Sequence, residues 1–217
     1  MAEERFSAQR NAMVEDQLRR RGIRDERVLE AMRRVPRHEF VKSEQWEQAY
    51  SDHPLVIPEQ QTTSQPYMIA AMIQAAEIQP KDRVLEVGAG SGYQTALLAE
   101  LAGRVVGVER YPSLAENAQA KLQAMGYHNV VIVAGDGTLG WPPAAPYDAV
   151  IVSAAAPRIP PALLQQLAAG GRLVIPIGNA QEQILQLFRK HSDGSITMTN
   201  LEGCRFVPLI GQDGFAA

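Results

Sequence analysis

From residue 83 to residue 178 the chain alternates two kinds of apolar pattern. Short runs rich in branched residues read as buried strands, and apolar residues recurring every three or four positions read as helices. The strand-like runs are Arg83–Val87, Arg104–Glu109, Val130–Ala134, Tyr147–Ser153 and Gly170–Gly178. The helix-like segments between them are Tyr93–Leu101, with Leu97, Leu98 and Leu101 at helical spacing, then Pro112–Met125 and Pro161–Ala168. Strand followed by helix, repeated, predicts an α/β fold built on a doubly wound, mostly parallel sheet.

Both ends depart from that rhythm. Residues 7 to 35 predict two helices: Met13, Gln17 and Leu18 share a face of the first, and Gly22 interrupts it. Asp25 can cap the second, whose Val28, Leu29, Met32 and Val35 keep helical spacing up to Pro36. Residues 36 to 65 are irregular. Pro66 suits the first position of a helix running to about Ile78, with Gln65 before it. At the other end, Gln183–Lys190 and Ser195–Leu201 flank the turn signal Ser192-Asp193-Gly194 and predict an antiparallel strand pair. The boundaries expected within a single 1–217 domain are a helical N-terminal region with a substrate loop over 1–65, a ligand-binding core over 66–180 and an antiparallel part over 181–217.

The first strand runs into a glycine-rich turn, Glu86-Val87-Gly88-Ala89-Gly90-Ser91-Gly92-Tyr93. Glycines there allow positive φ and let a ligand approach where a Cβ would intrude. The dinucleotide fingerprint GxGxxG fails, because its third glycine would fall on Tyr93. An ordinary βα turn and a nucleotide site of another kind both stay open. Glu109 ends the second strand, about 20 residues after Gly88, the interval at which an acid holds ribose hydroxyls. Asp136, beside Gly137, ends the third strand and can accept a hydrogen bond from an adenine amino group. Singly, each acid reads as a surface carboxylate. As a set, Glu86, Glu109 and Asp136 would converge on one edge of a parallel sheet.

Composition narrows the field. The chain has 217 residues, 46% of them hydrophobic, with a formal net charge of −3. It lacks the basic excess of a protein that holds nucleic acid by its phosphates. Arg19, Arg20, Arg21, Arg33 and Arg34 could be a basic patch, or a solvated helix face balanced by Glu15, Asp16, Glu26 and Glu30. A single cysteine, Cys204, permits no internal disulfide and points to a reducing, cytoplasmic setting, with the thiol read as packing. No apolar run has the length of a membrane span. His53 reads either as a base or as a satisfied loop histidine, and no metal site is expected. Ser64 stands near a helix start, where free N–H groups favour an anion, or is simply a helix-start residue.

The pattern Glu-x-Gly-x-Gly-x-Gly over Glu86–Gly92 resembles the first motif of Rossmann-like, S-adenosylmethionine-dependent methyltransferases. Val84 to Ala96, Gly135-Asp136-Gly137, and Tyr147–Val152 followed by small residues resemble the protein-L-isoaspartate O-methyltransferase family in particular. Two stretches are specific to that family. Thr63-Ser64-Gln65-Pro66-Tyr67-Met68 is similar to its substrate motif, and Arg205-Phe206-Val207-Pro208-Leu209 to its C-terminal signature. The resemblance covers roughly residues 12 to 210. One departure lies in the substrate loop. Pro58-Glu59-Gln60 and Thr63 stand where bacterial members often carry a glycine-containing segment and an isoleucine.

The resemblance implies a Rossmann-like methyltransferase fold and S-adenosylmethionine as cofactor. Its site would comprise Glu86, Gly88, Gly90, Gly92, Glu109, Asp136 and Gly137. It implies methylation of the free α-carboxylate of L-isoaspartyl residues in damaged proteins and peptides, the start of their repair. Ser64 would orient that carboxylate, with Thr63, Gln65, Tyr67 and Val207 binding the peptide. A monomer is expected, with neither nucleic acid nor membrane as partner. A methyltransferase for another small molecule is the alternative. An amino-methylating enzyme acting on nucleic acid would carry an Asn/Asp-Pro-Pro-Tyr type motif where Ser153-Ala154-Ala155-Ala156-Pro157 stands. A binding protein that has lost catalysis is the remaining rival.

Overall fold

The computed structural model describes residues 2–216. Helix α1 (Ala2–Ala12) continues through a π-helical stretch (Met13–Leu18) and a 3-10 turn (Arg19–Arg21), so the first helix starts earlier than expected. Gly22 ends it with φ 101°. Helix α2 (Glu26–Arg34) begins at Asp25, whose side chain accepts from the Arg27 amide as the sequence predicts. Two 3-10 turns (Arg37–Phe40 and Ser43–Gln48) lead to a small antiparallel hairpin, β1 (Leu55–Val56) with β2 (Thr62–Thr63). Helix α3 (Pro66–Ala76) follows, with proline in its first turn.

The central elements are β3 (Arg83–Val87), α4 (Tyr93–Leu101), β4 (Arg104–Glu109), α5 (Pro112–Ala124), β5 (Val130–Ala134), β6 (Tyr147–Val152), α6 (Pro161–Gln165), β7 (Leu167–Gly178), β8 (Gln183–Lys190) and β9 (Ile196–Cys204). The sheet order is β5-β4-β3-β6-β7-β8-β9, parallel from β5 to β7 and antiparallel for β8 and β9. The chain leaves β3 toward β4 and β5 on one side, then returns to lay down β6 and β7 on the other. The loops after β3 and β6 therefore diverge, which opens a crevice at the carboxyl ends of these strands.

Strand side chains alternate between faces, and each face has its own core. Val84, Val105, Ala149, Ile151 and Val174 pack with residues of α2 to α5. Leu85, Val87, Val106, Val108, Val150 and Leu173 pack with Leu163 of α6 and with Leu209. One expectation is corrected here. Residues 161 to 168 were expected as one helix, but α6 stops at Gln165 and β7 begins at Leu167. Leu167 pairs with Tyr147 and is buried in the second core. A helix of so few residues gains too little from its own hydrogen bonds to resist that pairing.

Helix α3 is fastened to the sheet by a buried arginine. Glu77 ends α3 with φ 49°, leaving carbonyls at the helix terminus. Arg172 of β7 donates to the Ala76 carbonyl at 2.8 Å, the Glu77 carbonyl at 2.8 Å, the Asp148 carbonyl at 2.9 Å and Asp82 Oδ2 at 2.5 Å. Removing one member of such a buried pair strands the other charge, at a cost of about 3–5 kcal/mol. Arg172→Ala is therefore expected to lower the unfolding free energy by about that much. Urea denaturation checks it, and an unchanged midpoint would show that Arg172 is not the fastening.

Candidate active site

A cleft of about 430 Å³ lies at the carboxyl ends of the parallel strands. Its floor is the turn after β3. Gly88, Gly90 and Gly92 have φ of 85°, 55° and 87°, the left-handed region that glycine enters without strain. The Gly88 amide donates to the Val108 carbonyl at 2.8 Å and the Ala89 amide to the same oxygen at 3.3 Å. A Cβ on Gly137 would lie 2.4 Å from Val87 Cγ1, so only glycine lets β3 and the turn after β5 approach this closely. Gly88, Gly90 and Gly137 line the cleft with Ser153 after β6, and Glu109 forms one wall.

The three acids have three different environments. Glu109 is 5% exposed and faces the cleft. Its Oε2 accepts from the Gly90 amide at 2.8 Å and its Oε1 from the Tyr111 amide at 3.0 Å. Each oxygen keeps acceptor capacity toward the cleft. Asp136 is half-buried and lies outside the cleft lining. Its Oδ1 accepts from the amide (2.9 Å) and hydroxyl (2.7 Å) of Thr138, and its Oδ2 from the Gln212 amide at 2.8 Å. Burial alone would raise its pKa. The hydrogen bonds from Gln212 and Thr138, helped by Arg110, overcome that and hold it below the ordinary range.

Glu86 points the other way. It shares a strand face with Val84, beneath α4, and is fully buried. Gln94 Nε2 lies 2.9 Å from its Oε1 and Thr95 Oγ1 2.5 Å from its Oε2. Burial, reinforced by the charge of Glu109, pushes its pKa up to about 8 against the pull of those two partners. At neutral pH Glu86 thus keeps its proton. Gln94 also donates to Ser153 Oγ at 2.7 Å, which links this buried carboxyl to the cleft wall.

A second cavity, about 330 Å³, adjoins the first and shares Thr62, Ser153 and Val207 with it. Ser64, Gln65, Met68, Cys204 and Phe206 also line it. The structure therefore brings Ser64, Gln65 and Val207 to one cavity, next to the glycine turn. Thr63 is buried and pairs with Leu55, lining only a small void of about 30 Å³ that Glu86 also borders. Tyr67 stands outside the cavity: its ring lies 3.6 Å beneath the Arg21 guanidinium and its hydroxyl donates to Glu202 Oε1 at 3.3 Å. His53 is half-buried with Nδ1 2.9 Å from the Pro54 carbonyl. Burial pushes the Cys204 thiol up to about 11, so it packs as a neutral group. Among the described residues no group of three or more His, Cys, Asp or Glu could hold a metal ion.

Sequence reasoning missed Ser153, Gln94 and Arg37. Ser153 was findable, since it ends β6 at the point where the strand order reverses. Arg37 carries no local signal: it is fully buried and donates to the Ser64 carbonyl at 2.9 Å.

The model of the Protein-L-isoaspartate(D-aspartate) O-methyltransferase (PCMT) family matches residues 8–214. Protein-L-isoaspartate O-methyltransferase 1 of Syntrophobacter fumaroxidans is 54% identical over 210 residues, covering 97% of this chain and 98% of that one. The protein-L-isoaspartate O-methyltransferase of Koribacter versatilis is 51% identical over 211 residues, covering 97% and 95%. Among solved structures, a protein-L-isoaspartate O-methyltransferase superposes with a TM-score of 0.85 at 30% identity, covering 94% of this chain and 67% of its own. A Plasmodium falciparum protein assigned to the same enzyme type, in complex with S-adenosyl-L-homocysteine, gives 0.80 at 27%, covering 92% and 97%.

The buried carboxyl of Glu86 makes a testable pH signature. Below the ordinary glutamate pKa of about 4.3, folded and unfolded chains both hold the proton. From there to about 8 the unfolded chain loses it while the folded chain keeps it, so the folded state becomes progressively less favoured. Wild type should lose stability relative to Glu86→Gln as pH rises through that window, and no further above it. Denaturant unfolding at a series of pH values measures the difference, and a difference independent of pH would show that Glu86 is ionised in the fold.

Proposed function

We propose a division of labour within the cleft, from the premise that this chain belongs to the protein-L-isoaspartate(D-aspartate) O-methyltransferase family. The chain is an enzyme that transfers a methyl group from S-adenosylmethionine to the free α-carboxylate of L-isoaspartyl residues, the step that initiates repair of damaged proteins. The observation that carries the site reading is the junction of the two cavities at Thr62, Ser153 and Val207. One cavity has the glycine turn and Glu109; the other has Ser64.

The first cavity fits the cofactor. Glu109 offers acceptor capacity for two ribose hydroxyls, and the glycine turn keeps Cβ atoms out of the floor. Gly88, Gly90 and Gly92 carry that floor beneath the amino-acid part of the ligand. Gly137 borders the adenine end, and Asp136 beside it retains acceptor capacity on Oδ2 for the amino group. Glu86 acts from below: through Gln94 and Thr95 it anchors α4, which the glycine turn opens. When bound, S-adenosylmethionine supplies an electrophilic methyl group.

The acceptor needs little acid–base help. A carboxylate with a pKa near 4 is already ionised at neutral pH. The work left to the protein is to hold one oxygen in line and to limit water. Ser64 Oγ donates a hydrogen bond that orients the carboxylate. Gln65 and Val207 flank it in the same cavity, while Thr63 and Tyr67 support the loop from either side of Ser64. Residues 1–65, 66–180 and 181–217 act together as one unit, since each contributes lining to these cavities.

The partners are isoaspartyl peptides and proteins, and the enzyme works as a cytoplasmic monomer apart from membranes and nucleic acid. Pairing of the N-terminal arginines supports the last point: Arg19 meets Glu15 at 3.0 Å and Glu26 at 2.6 Å, and Arg20 meets Asp16 at 3.0 Å. No helix among the described residues is long and apolar enough to cross a membrane.

Two outcomes are expected. Glu109→Ala should weaken binding of S-adenosyl-L-homocysteine by about 1.5–3 kcal/mol, the range for hydrogen bonds to a charged group; calorimetry with unchanged affinity would remove Glu109 from the site. Isoaspartyl and aspartyl residues carry the same atoms, so discrimination is geometric, and a displacement of about 1 Å costs roughly a hundredfold in rate. Given labelled S-adenosylmethionine and two peptides differing only in that linkage, the enzyme should esterify the isoaspartyl peptide and leave the aspartyl one nearly unlabelled. Equal labelling of both would overturn the assignment.

A further inference from the structure

Arg37 is the first residue of the 3-10 turn after α2, and none of its surface reaches solvent. Its Nη1 donates to the Ser64 carbonyl at 2.9 Å and its Nη2 to the His53 carbonyl at 3.4 Å. The guanidinium carbon lies 5.3 Å from the centre of the Tyr93 ring. Its Nε has no hydrogen-bond partner among the described residues. Asp52 acts on Arg37 through its field, but its own oxygens serve elsewhere. Its Oδ1 accepts from the Tyr67 amide at 2.9 Å, and its Oδ2 pairs with Arg21. A buried cation bonded chiefly to neutral carbonyls is costly, and an apolar side chain would fill the same volume more favourably.

Of the two carbonyls this cation holds, the nearer belongs to Ser64. Ser64 lies between β2, where Thr63 pairs with Leu55, and α3, whose Tyr67 amide is capped by Asp52. Those contacts fix the chain on either side of Ser64. Among the described residues, Arg37 alone supplies a side-chain bond to the backbone of Ser64 itself. With the carbonyl held, the peptide planes about Ser64 and hence the direction of its Cα–Cβ bond are set.

We propose that Arg37 is a positioning residue, which fixes the Ser64 backbone so that the hydroxyl meets the acceptor carboxylate in line. The inference rests on the role of Ser64 proposed above. Arginine is required because its planar fork reaches two carbonyls, of Ser64 and of His53, from one buried point. Lysine keeps the charge and is one bond shorter than the fork; glutamine loses the charge and, two bonds shorter, falls short of both carbonyls.

The test is a double-mutant cycle on turnover of an isoaspartyl peptide, with binding of S-adenosyl-L-homocysteine as the control for an intact fold. Arg37→Gln should lower kcat/KM about tenfold to a hundredfold, the scale of a small misplacement, and Arg37→Lys should lose less. Both should bind S-adenosyl-L-homocysteine within about twofold of wild type. In a Ser64→Ala background the same substitutions should cost less than about twofold more, because a residue acting through Ser64 has nothing left to position. Equal losses in both backgrounds would show that Arg37 does not act through Ser64. Undiminished turnover in both Arg37 variants would show that it positions nothing. Loss of S-adenosyl-L-homocysteine binding in both would make Arg37 a requirement of the fold instead. Wild-type turnover separates the two readings. Its absence on the isoaspartyl peptide defeats the functional assignment and this inference together, whereas normal wild-type turnover with additive losses defeats only the role of Arg37.

Discussion

The carboxyl end of β4 holds the glycine turn that follows β3. Two amides of that turn, of Gly88 and Ala89, donate to the Val108 carbonyl, and a third, of Gly90, donates to the carboxylate of the next residue, Glu109. The acid and the turn are therefore one hydrogen-bonded unit. The parallel register of β3 with β4, Val87 opposite Val108, brings them together. Ser153 joins from the other side, its amide donating to the Val87 carbonyl at 2.8 Å. The larger cavity hangs on these strand ends, which is why its floor is backbone and Glu109 forms one of its walls.

Electrostatics at that edge are less crowded than three neighbouring acids suggest. Burial and the charge of Glu109 raise the Glu86 pKa and so favour its neutral form, which is bonded to Gln94 and Thr95 under α4. Asp136 is stabilised as a carboxylate by the Gln212 amide and Thr138. The Gln212 interaction also brings the C-terminal segment to this acid, where a Cβ on Gly211 would lie only 2.1 Å from Asp136 Oδ1. The tail can approach the acid this closely only with glycine there. Further back, the Val207 carbonyl accepts from the Ala155 amide and the Leu209 amide donates to the Ala155 carbonyl, so the last residues border both cavities.

The N-terminal region contributes Pro54, Thr62, Ser64 and Gln65 to the second cavity. Its arginines work by pairing and not as a free basic surface. Arg21 stacks on Tyr67 and pairs with Asp52, which caps the start of α3. Tyr67 in turn reaches Glu202 near the end of β9. A chain of contacts thus ties the first helix, the loop that carries Ser64 and the antiparallel strand pair to one another. The departure at Pro58-Glu59-Gln60 falls at the tip of the β1–β2 hairpin. Glu59 and Gln60 take φ of 59° and 56° there and line the larger cavity. That part of the difference from the bacterial pattern lies in a turn at the cavity rim, while Thr63 is buried in β2 opposite Leu55.

Much of this was legible from local pattern. The strands β3 to β6, most of β7, the β8–β9 pair, the helices α4 and α5, the Asp25 cap, the proline start of α3 and the glycine turn are each decided within a few residues, by apolar pattern, capping and backbone freedom; the β1–β2 hairpin was not legible. Glu109 was legible too, because a strand–helix–strand unit has a nearly fixed length. The resemblance carried by Thr63–Met68 and Arg205–Leu209 pointed to the acceptor and to methyl transfer. Partners distant in sequence were decided only by the tertiary structure. Leu167 joins β7 and not α6 because Tyr147 of β6 pairs with it, and Glu86 faces away from the cleft because the sheet alternation puts it under α4 with Gln94 and Thr95. Arg37 meets Ser64 across 27 positions and Gln212 meets Asp136 across 76. Such meetings depend on which strand lies beside which and how the helices pack on them, and no window of sequence around either residue contains that information.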